Sequence, residues 1–575
     1  MTVEPPRKKR NISKGISRNI HTDRHPLNVK PSGNSLIFTD NTLKQQKASL
    51  LGELRNFDDN LILDLLSFIE DPQDLLQLSH ASRIFYAFTY DEDIWRKLYM
   101  KKSLKDTSNP TGFPLGINKW RGSWRRTMLN LPESKEAKIQ LPENLLCSDA
   151  LFRPFQCSKI DYNALMKDLI DEEEESYQKR TTLNQKFGIK RIAETDLSVD
   201  EFNTKHLNTP FILTNDNYQE RWPLWTFPQL LRRFPNIKFR QESVEWPLHF
   251  YADYYVQNSD ESPLYLFDCQ SVAMKELVKE YRVPEIFKND YFQLFNQPEL
   301  GVNCRPDYRW IIIGPERSGS TFHKDPNFTS AWNANLSGVK LWVMLPPGVK
   351  PPGIGTDDTE SEVTSPVGVA EWVLSGFYND TLKLTEYGEC KIGLTFPGEV
   401  MYVPSGWWHS VINLDDSVAL TQNFIPGDNL ARVLFFLKVK SEQISGFHMN
   451  KFKTSLKNFI NHAKSGIDAE NLALFEKFLQ VVEDLDNDED IGEVDYCSVV
   501  GRLPIYEFFL ELIKNDGKRE QLQKALVELA NIEREEAKKE GKNVVASKKW
   551  ESLVDGGEST GFSFGFDEDD DEDED

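Results

Sequence analysis

The sequence predicts a multidomain α+β protein, with an all-β centre of sandwich or barrel type and helical segments on both sides. Three observations carry that reading. At 575 residues the chain exceeds what one hydrophobic core serves, so about two to four domains are expected. Between residues 205 and 430 short apolar runs alternate with Pro/Gly turns, the pattern of many short strands. Before and after that stretch, apolar residues recur at helical spacing instead.

Residues 1–48 lack periodicity and are rich in Arg, Lys, Asn and Ser, which reads as a disordered basic tail. Its Arg7-Lys-Lys-Arg10 cluster is a candidate nuclear-import signal, which makes the nucleus the expected location, with the cytoplasm left open. Over 49–102, Leu61, Ile62, Leu65, Leu66 and Ile69 form one helical stripe. Asp71-Pro-Gln-Asp74 then starts a second helix, expected to run to Phe85 and Phe88, and Glu92 to Tyr99 gives a third. Residues 103–204 are a linker region, in which Asp171-Glu-Glu-Glu-Glu175 lies on a helix-like stretch from Tyr162 to Lys186 and reads as a solvated face. The β domain follows over 205–430, with residues 350–395 inserted inside it. Over 431–550 the stripes Leu430–Leu437, Asn471–Leu479 and Ile505–Ile513 and the charged run Gln521–Lys542 predict helices, and 551–575 is an acidic disordered tail.

Composition narrows the function classes. With no run of about 18 apolar residues and no apolar stretch behind the N-terminus, neither a membrane span nor a secretory signal is expected. Six scattered cysteines without a C-x-x-C pair argue for a reducing compartment and against a zinc ribbon. A formal charge of −22 makes direct nucleic-acid binding an unfavourable expectation. The run Asp567–Asp575 suits attraction of basic proteins, histones among them, or plain solubility.

The chemistry concentrates in Ser318-Gly-Ser-Thr-Phe-His-Lys-Asp-Pro326. On a strand leading on from Trp310-Ile-Ile-Ile313, His323 and Asp325 point to one face. A second imidazole would complete a two-His, one-carboxylate triad, the set that holds non-haem Fe(II) with open positions. His409 is the candidate, where a strand resumes after the Pro404-Ser-Gly-Trp turn. On pattern alone, a histidine hydrogen-bonded inside an aromatic core reads the same way.

Gly314-Pro-Glu-Arg-Ser-Gly-Ser-Thr-Phe-His-Lys-Asp-Pro-Asn-Phe-Thr-Ser-Ala-Trp-Asn-Ala-Asn-Leu-Ser-Gly-Val-Lys340 resembles the core of the Jumonji-C (JmjC) 2-oxoglutarate oxygenases. Pro397-Gly-Glu, Pro404-Ser-Gly-Trp-Trp-His409, Asn413-Leu and Ala419-Leu-Thr-Gln-Asn-Phe424 resemble the matching second half. The likeness extends upstream through Ser262-Pro-Leu-Tyr-Leu-Phe-Asp268, Tyr281-Arg-Val-Pro284 and Tyr308-Arg-Trp310, so it spans 205–430. Its nearest subgroup contains the nuclear lysyl-hydroxylase/arginine-demethylase. The resemblance implies a double-stranded β-helix of jelly-roll, cupin-like type and an enzyme using Fe(II) and 2-oxoglutarate. It implies His323, Asp325 and His409 as catalytic metal ligands, and Tyr265, Ser320, Asn333, Lys340 and Thr421 as contacts to 2-oxoglutarate. Ser320 stands where close relatives carry Thr, and Lys324 where they carry an apolar residue.

Lys340 has its own argument. A buried lysine is costly unless paired, and a carboxylate ligand supplies the pair. Without the resemblance, an outward-facing strand lysine is the plainer reading. Tyr402, Trp407 and Trp408 either line the pocket or pack the core.

Over 49–102 the string Leu61, Leu65-Leu66, Asp71-Pro72, Asp74-Leu-Leu, Arg83-Ile-Phe85, Ile94-Trp95 and Leu98 resembles an F-box, with Phe57-Asp58 in place of the usual leading Leu-Pro. That resemblance implies docking onto the Skp-type adaptor of an SCF ubiquitin ligase. Two functions follow as expectations. One is a protein oxygenase that hydroxylates or demethylates lysine or arginine side chains, histones among the candidate substrates. The other is a ligase substrate receptor that uses the JmjC fold for recognition. A homodimer through the C-terminal helices is a further expectation.

Overall fold

The computed structural model describes residues 49–105, 117–132, 161–179, 188–486 and 503–555, apart from single positions within them. The Arg7–Arg10 cluster and the Asp567–Asp575 run lie outside the described residues.

The N-terminal unit has four helices: α1 (Asp59–Ser67), α2 (Pro72–Ser79), α3 (Arg83–Thr89) and α4 (Glu92–Lys105). Asp71 caps α2 by accepting from the Gln73 amide at 2.8 Å, with Pro72 at the first helical position. The segment expected as one helix from Leu75 to Phe88 breaks at His80–Ser82, and Ser82 restarts it by accepting from the Phe85 amide at 3.3 Å. The short α5 (Trp124–Met128) then packs on α4, and α6 (Lys167–Lys179) follows.

The β domain is a sandwich. Its strands are β1 (Lys190–Ala193), β2 (Phe211–Thr214), β3 (Lys238–Gln241), β4 (Val244–Pro247), β5 (Leu266–Asp268), β6 (Arg309–Gly314), β7 (Gly319–His323) and β8 (Ser330–Ser337), then β9 (Lys340–Leu345), β10 (Lys391–Thr395), β11 (Val400–Val403), β12 (Trp408–Asn413) and β13 (Ser417–Phe424). Nine of them form one sheet in the order β1-β2-β11-β8-β13-β6-β5-β3-β4, and four form the facing sheet in the order β10-β9-β12-β7. Pairing is antiparallel except for β1 with β2. From β6 to β9, and again from β10 to β13, consecutive strands alternate between the two sheets, as in a jelly roll.

Alternation along each strand decides what lies between the sheets. Trp342 and Met344 of β9 and Val411 of β12 meet Ala331, Met401 and Val403 of the large sheet. Leu341, Val343 and Leu345 point the other way, onto α7 (Val369–Leu374) and α8 (Gly376–Glu386) of the insertion. The insertion also carries a short hairpin that pairs Gly355–Thr356 with Val363–Thr364.

The acidic stretch of α6 is not a solvated face throughout. Glu173 is buried and pairs with Arg191 at 2.6 Å, and Arg191 also pairs with Glu399 at 2.8 Å, each side chain about 1% exposed. The outer face of the large sheet shares one core with the N-terminal helices. Trp95 and Tyr99 of α4 join Trp124, Trp246 and Tyr254 in one aromatic cluster, which continues to Trp332 and Phe424. Arg96 reaches across to donate to the Ser262 carbonyl at 3.0 Å and to Glu242 at 3.1 Å.

Beyond the sandwich, α9 (Leu430–Val439), α10 (Met449–Ala463), α11 (Ala469–Asp486), α12 (Ile505–Asn515) and α13 (Arg519–Asp555) build a second core. Helix α10 was not expected from the sequence reading. It buries Phe452, Leu456, Phe459 and Ile460, a complete helical stripe. Among the described residues, no helix is long and apolar enough to cross a membrane.

Candidate functional site

His323 ends β7 and His409 sits near the start of β12, directly opposite it in register. Their ring centroids are 4.2 Å apart. Asp325 lies just past the strand rather than on it, at the head of a 3₁₀ turn over Pro326–Phe328, so its aim comes from the turn and not from strand alternation. The three residues bring one ligand atom each to within 4.8 Å of one another, the spacing of a set that could hold one metal ion.

The imidazoles are already oriented for that task. Nδ1 of His323 lies 2.7 Å from the Thr321 carbonyl, and Nδ1 of His409 lies 3.1 Å from the Trp407 carbonyl. A carbonyl only accepts, so each Nδ1 carries a proton and Nε2 is the nitrogen each ring has left for a metal. Burial, then the nearby His323, push the His409 pKa well below its usual value, which keeps that ring neutral. Asp325 is half-buried, with its Oδ2 buried and unpartnered, and desolvation raises its pKa against the pull of His323. A buried carboxylate oxygen without a hydrogen bond wants a cation. The set fits a divalent metal.

Asp325 is held in place from both sides. Asn327 and Phe328 have φ of 54° and 55°, a left-handed pair that costs non-glycine residues energy and needs outside support. Asn327 exchanges two hydrogen bonds with Ser445, both at 3.0 Å, and Phe328 stacks on Phe436 of α9. The helical C-terminal region therefore braces the metal loop.

Deeper between the sheets lies Lys340, only 1% exposed. Its Nζ donates to Asn413 Oδ1 at 2.7 Å and to the Tyr265 hydroxyl at 3.1 Å, and it makes no ion pair among the described residues. Burial lowers its pKa to about 7. The Tyr265 ring fills the space beside Gly314, where an added Cβ would come within 2.5 Å of it. Asn333 pairs in register with Thr421, and its buried Oδ1 has no partner. Thr421 donates its hydroxyl to the Trp332 carbonyl at 2.9 Å, which leaves its oxygen able to accept. Ser320 pairs with the inward-facing Val411 on the same wall. The eight candidate residues thus share one inter-sheet space. A buried ammonium with no anion beside it among the described residues leaves that space suited to a carboxylate.

Asn413 and Ser318 were not among the candidates. Asn413 accepts from Lys340 and donates to Ser318 Oγ at 2.9 Å, so both orient the lysine. The parity 409, 411, 413 on β12 was a signal that could have found Asn413. Tyr402 and Trp407 are core: Tyr402 donates to the Leu207 carbonyl at 2.8 Å and Trp407 packs between the sheets, whereas Trp408 packs in the outer cluster and also lines the cavity beside His323. Lys324 turns away from the metal set, toward Glu360.

Comparison with known proteins agrees with this geometry. A family model described as a cupin-like domain matches residues 172–429, and one described as F-box-like matches 59–101. The chain is 35% identical over 434 residues to the arginine-specific demethylase JMJ22 of Arabidopsis thaliana, covering 73% of this chain and 77% of that one. It is 34% identical over 260 residues to the bifunctional arginine demethylase and lysyl-hydroxylase psr-1 of Caenorhabditis elegans, covering 42% and 62%. It is 27% identical over 256 residues to the 2-oxoglutarate and iron-dependent oxygenase JMJD4 of Mus musculus, covering 43% and 56%.

Proposed function

We propose that this chain, which belongs to the cupin-like JmjC family and carries an F-box-like unit, is an Fe(II)- and 2-oxoglutarate-dependent protein oxygenase that hydroxylates or demethylates lysine or arginine side chains. The observation that carries this reading is the pairing, in one inter-sheet space, of the His323–Asp325–His409 set with a buried, anion-free Lys340. His323, Asp325 and His409 would hold the metal, and Lys340 and Tyr265 would hold the distal carboxylate of 2-oxoglutarate. With iron bound, the site couples oxidation of 2-oxoglutarate by O2, to succinate and CO2, to placing one oxygen atom on a substrate C–H. On a methylene carbon the product is a stable alcohol; on an N-methyl group it breaks down to formaldehyde and the demethylated nitrogen.

The chain's own residues do the preparation. The Thr321 and Trp407 carbonyls hold an Nδ1–H on each ring and so turn each Nε2 toward the metal position. Asn413 and Ser318 aim Lys340. The apolar inter-sheet wall of Val411, Met344 and Met401 keeps water from the reacting space.

Succinate release from purified protein with Fe(II), 2-oxoglutarate and ascorbate tests the reading, using histone-tail peptides with free or methylated lysine and arginine. Turnover that His323→Ala and Lys340→Ala both lose supports it, and mass spectrometry separates gain of oxygen from loss of a methyl group. No turnover and no 2-oxoglutarate binding by metal-loaded protein would refute it.

A second reading, as a ligase substrate receptor, is favoured by one feature of the F-box-like unit. Leu61 and Leu65 are each 43% exposed and Phe68 is 76% exposed, an apolar ridge on the side that would meet a Skp-type adaptor. The two readings are compatible. The Arg7–Arg10 cluster supports placing the protein in the nucleus, which imaging of a tagged Arg7→Ala/Lys8→Ala/Lys9→Ala/Arg10→Ala variant tests. For self-association, Val439 and Val527 on the C-terminal helices are exposed, and the mass in solution with and without Val527→Asp tests a dimer there.

A further inference from the structure

The insertion sends its hairpin tip, Asp357 and residues 359–362, over the mouth of the metal site. The tip is built to hold a shape. Asp357 accepts from the Glu362 amide at 2.9 Å and from the Ser361 and Thr359 hydroxyls at 2.7 and 2.5 Å. Glu360 adopts a left-handed φ of 56° at its apex. Two anchors fix the tip from outside: Lys440 and Gln443, after α9, both donate to the Thr359 carbonyl, at 3.1 and 3.2 Å.

A third contact differs in kind. Lys324, between His323 at the end of β7 and Asp325 just past it, donates from Nζ to Glu360 Oε2 at 2.5 Å and to the Pro347 carbonyl at 3.4 Å, and lies 4.5 Å from the centre of the Trp408 ring. A carboxylate, a carbonyl and an aromatic face together are what a protein presents to a lysine or arginine head group. This cradle opens on a cavity of about 570 Å³ that His323 and Asp325 also line. Outside the metal ligands its charged lining is Lys324, Arg432 and Lys440 against Glu360, Glu535 and Glu536. Removing the Lys324 charge leaves that mouth one unit negative.

Resting on the oxygenase reading above, we propose that Glu360 selects the cationic side chain of the substrate, and that Lys324 occupies the place of that side chain until substrate arrives. Exchanging one cation for another keeps Glu360 paired, and the displaced Lys324, already partly exposed, turns its ammonium to solvent. The outer anchors at Thr359 keep the tip in place while it does.

The test measures peptide affinity by fluorescence anisotropy and KM and kcat by succinate release, using full-length Fe(II)-loaded protein with anoxic conditions for the binding arm. The probes are lysine- and arginine-bearing peptides and their norleucine counterparts. Lys324→Met is expected to tighten binding and lower KM for cationic peptides several-fold. Glu360→Gln is expected to weaken both about tenfold, with kcat and 2-oxoglutarate affinity unchanged, because a charge-assisted contact is lost. The double variant should behave as Glu360→Gln does, and norleucine peptides should not respond. If Lys324→Met weakens peptide binding as much as Glu360→Gln, the pair is a structural tether and the proposal fails. It also fails if Glu360→Gln binds cationic peptides as wild type does. Absence of turnover in every protein, wild type included, would remove the oxygenase reading, while the anisotropy arm still decides whether Glu360 binds a cation.

Discussion

Replacing Lys340 with methionine separates the cost of burying a charge from its use. Burial lowers the Lys340 pKa from 10.5 to about 7, a preference for the neutral amine of about 5 kcal/mol. The sign follows from linkage. A lysine with a depressed folded-state pKa binds fewer protons folded than unfolded between about pH 7 and 10.5, so the free protein loses stability as pH falls through that window. Lys340→Met should remove this dependence and, at pH 7, match or exceed the wild-type melting temperature despite losing two hydrogen bonds. A bound carboxylate reverses the preference and holds the ammonium charged. Above pH 7, 2-oxoglutarate binding must therefore take up a proton, and affinity should fall about tenfold per pH unit, about 1.4 kcal/mol each. Calorimetry of Mn(II)-loaded protein at pH 6.5, 8 and 9, in buffers of differing ionisation enthalpy, reads both the affinity and the proton count. Lys340→Met should bind too weakly to titrate. Affinity that is flat across this range, with no proton uptake in wild type, would refute the argument.

Other expectations follow from the same geometry. His409→Ala should abolish Co(II) binding, read from the metal's visible absorption, whereas Trp407→Phe, which keeps the carbonyl that orients His409, should not. Arg191→Met takes the buried guanidinium away from Glu173 and Glu399 and should cost about 3–5 kcal/mol in urea unfolding, while adding Glu173→Leu and Glu399→Gln should recover most of it. Burial raises the Asp91 and Glu92 pKa values to about 7, so the stability they carry is present near pH 4 and is lost as pH rises through 7. Glu92→Gln keeps an acceptor for the Trp124 amide and should flatten the melting temperature between pH 5 and 8. Leu61→Asp with Leu65→Asp should abolish capture of a purified Skp-type adaptor and leave the melting temperature within a few degrees, since both side chains are already wetted.

The chemistry was legible because its residues are close in sequence or sit at strand parity. His323 and Asp325 are two apart, the Pro404–Trp407 turn delivers His409, and the alternation Lys340-Leu341 puts the lysine inward. What stayed hidden depends on partners far along the chain. Asn413 reaches Lys340 from 73 residues away, and no local pattern marks one asparagine among many. Glu173 looked solvated within an acidic run because only the fold brings Arg191 over it. Asp325 was aimed correctly for the wrong reason: a turn sets its direction where a strand was expected. The break at His80–Ser82 between α2 and α3 has no Gly or Pro to announce it, since side-chain capping by Ser82 does the work.

The aromatic cluster that joins Trp95 and Tyr99 to Trp246 and Trp332 bears on how this chain was assembled and can change. Modules strung on linkers can be traded between genes, each bringing its own interior. Here the F-box-like helices and the oxygenase sandwich own a single interior, and the Glu92, Arg96 and Asp260 charges close its seam. A recombination breakpoint between residues 132 and 161 would leave two halves that each expose tryptophans. A change on one side of that interior must answer to the other.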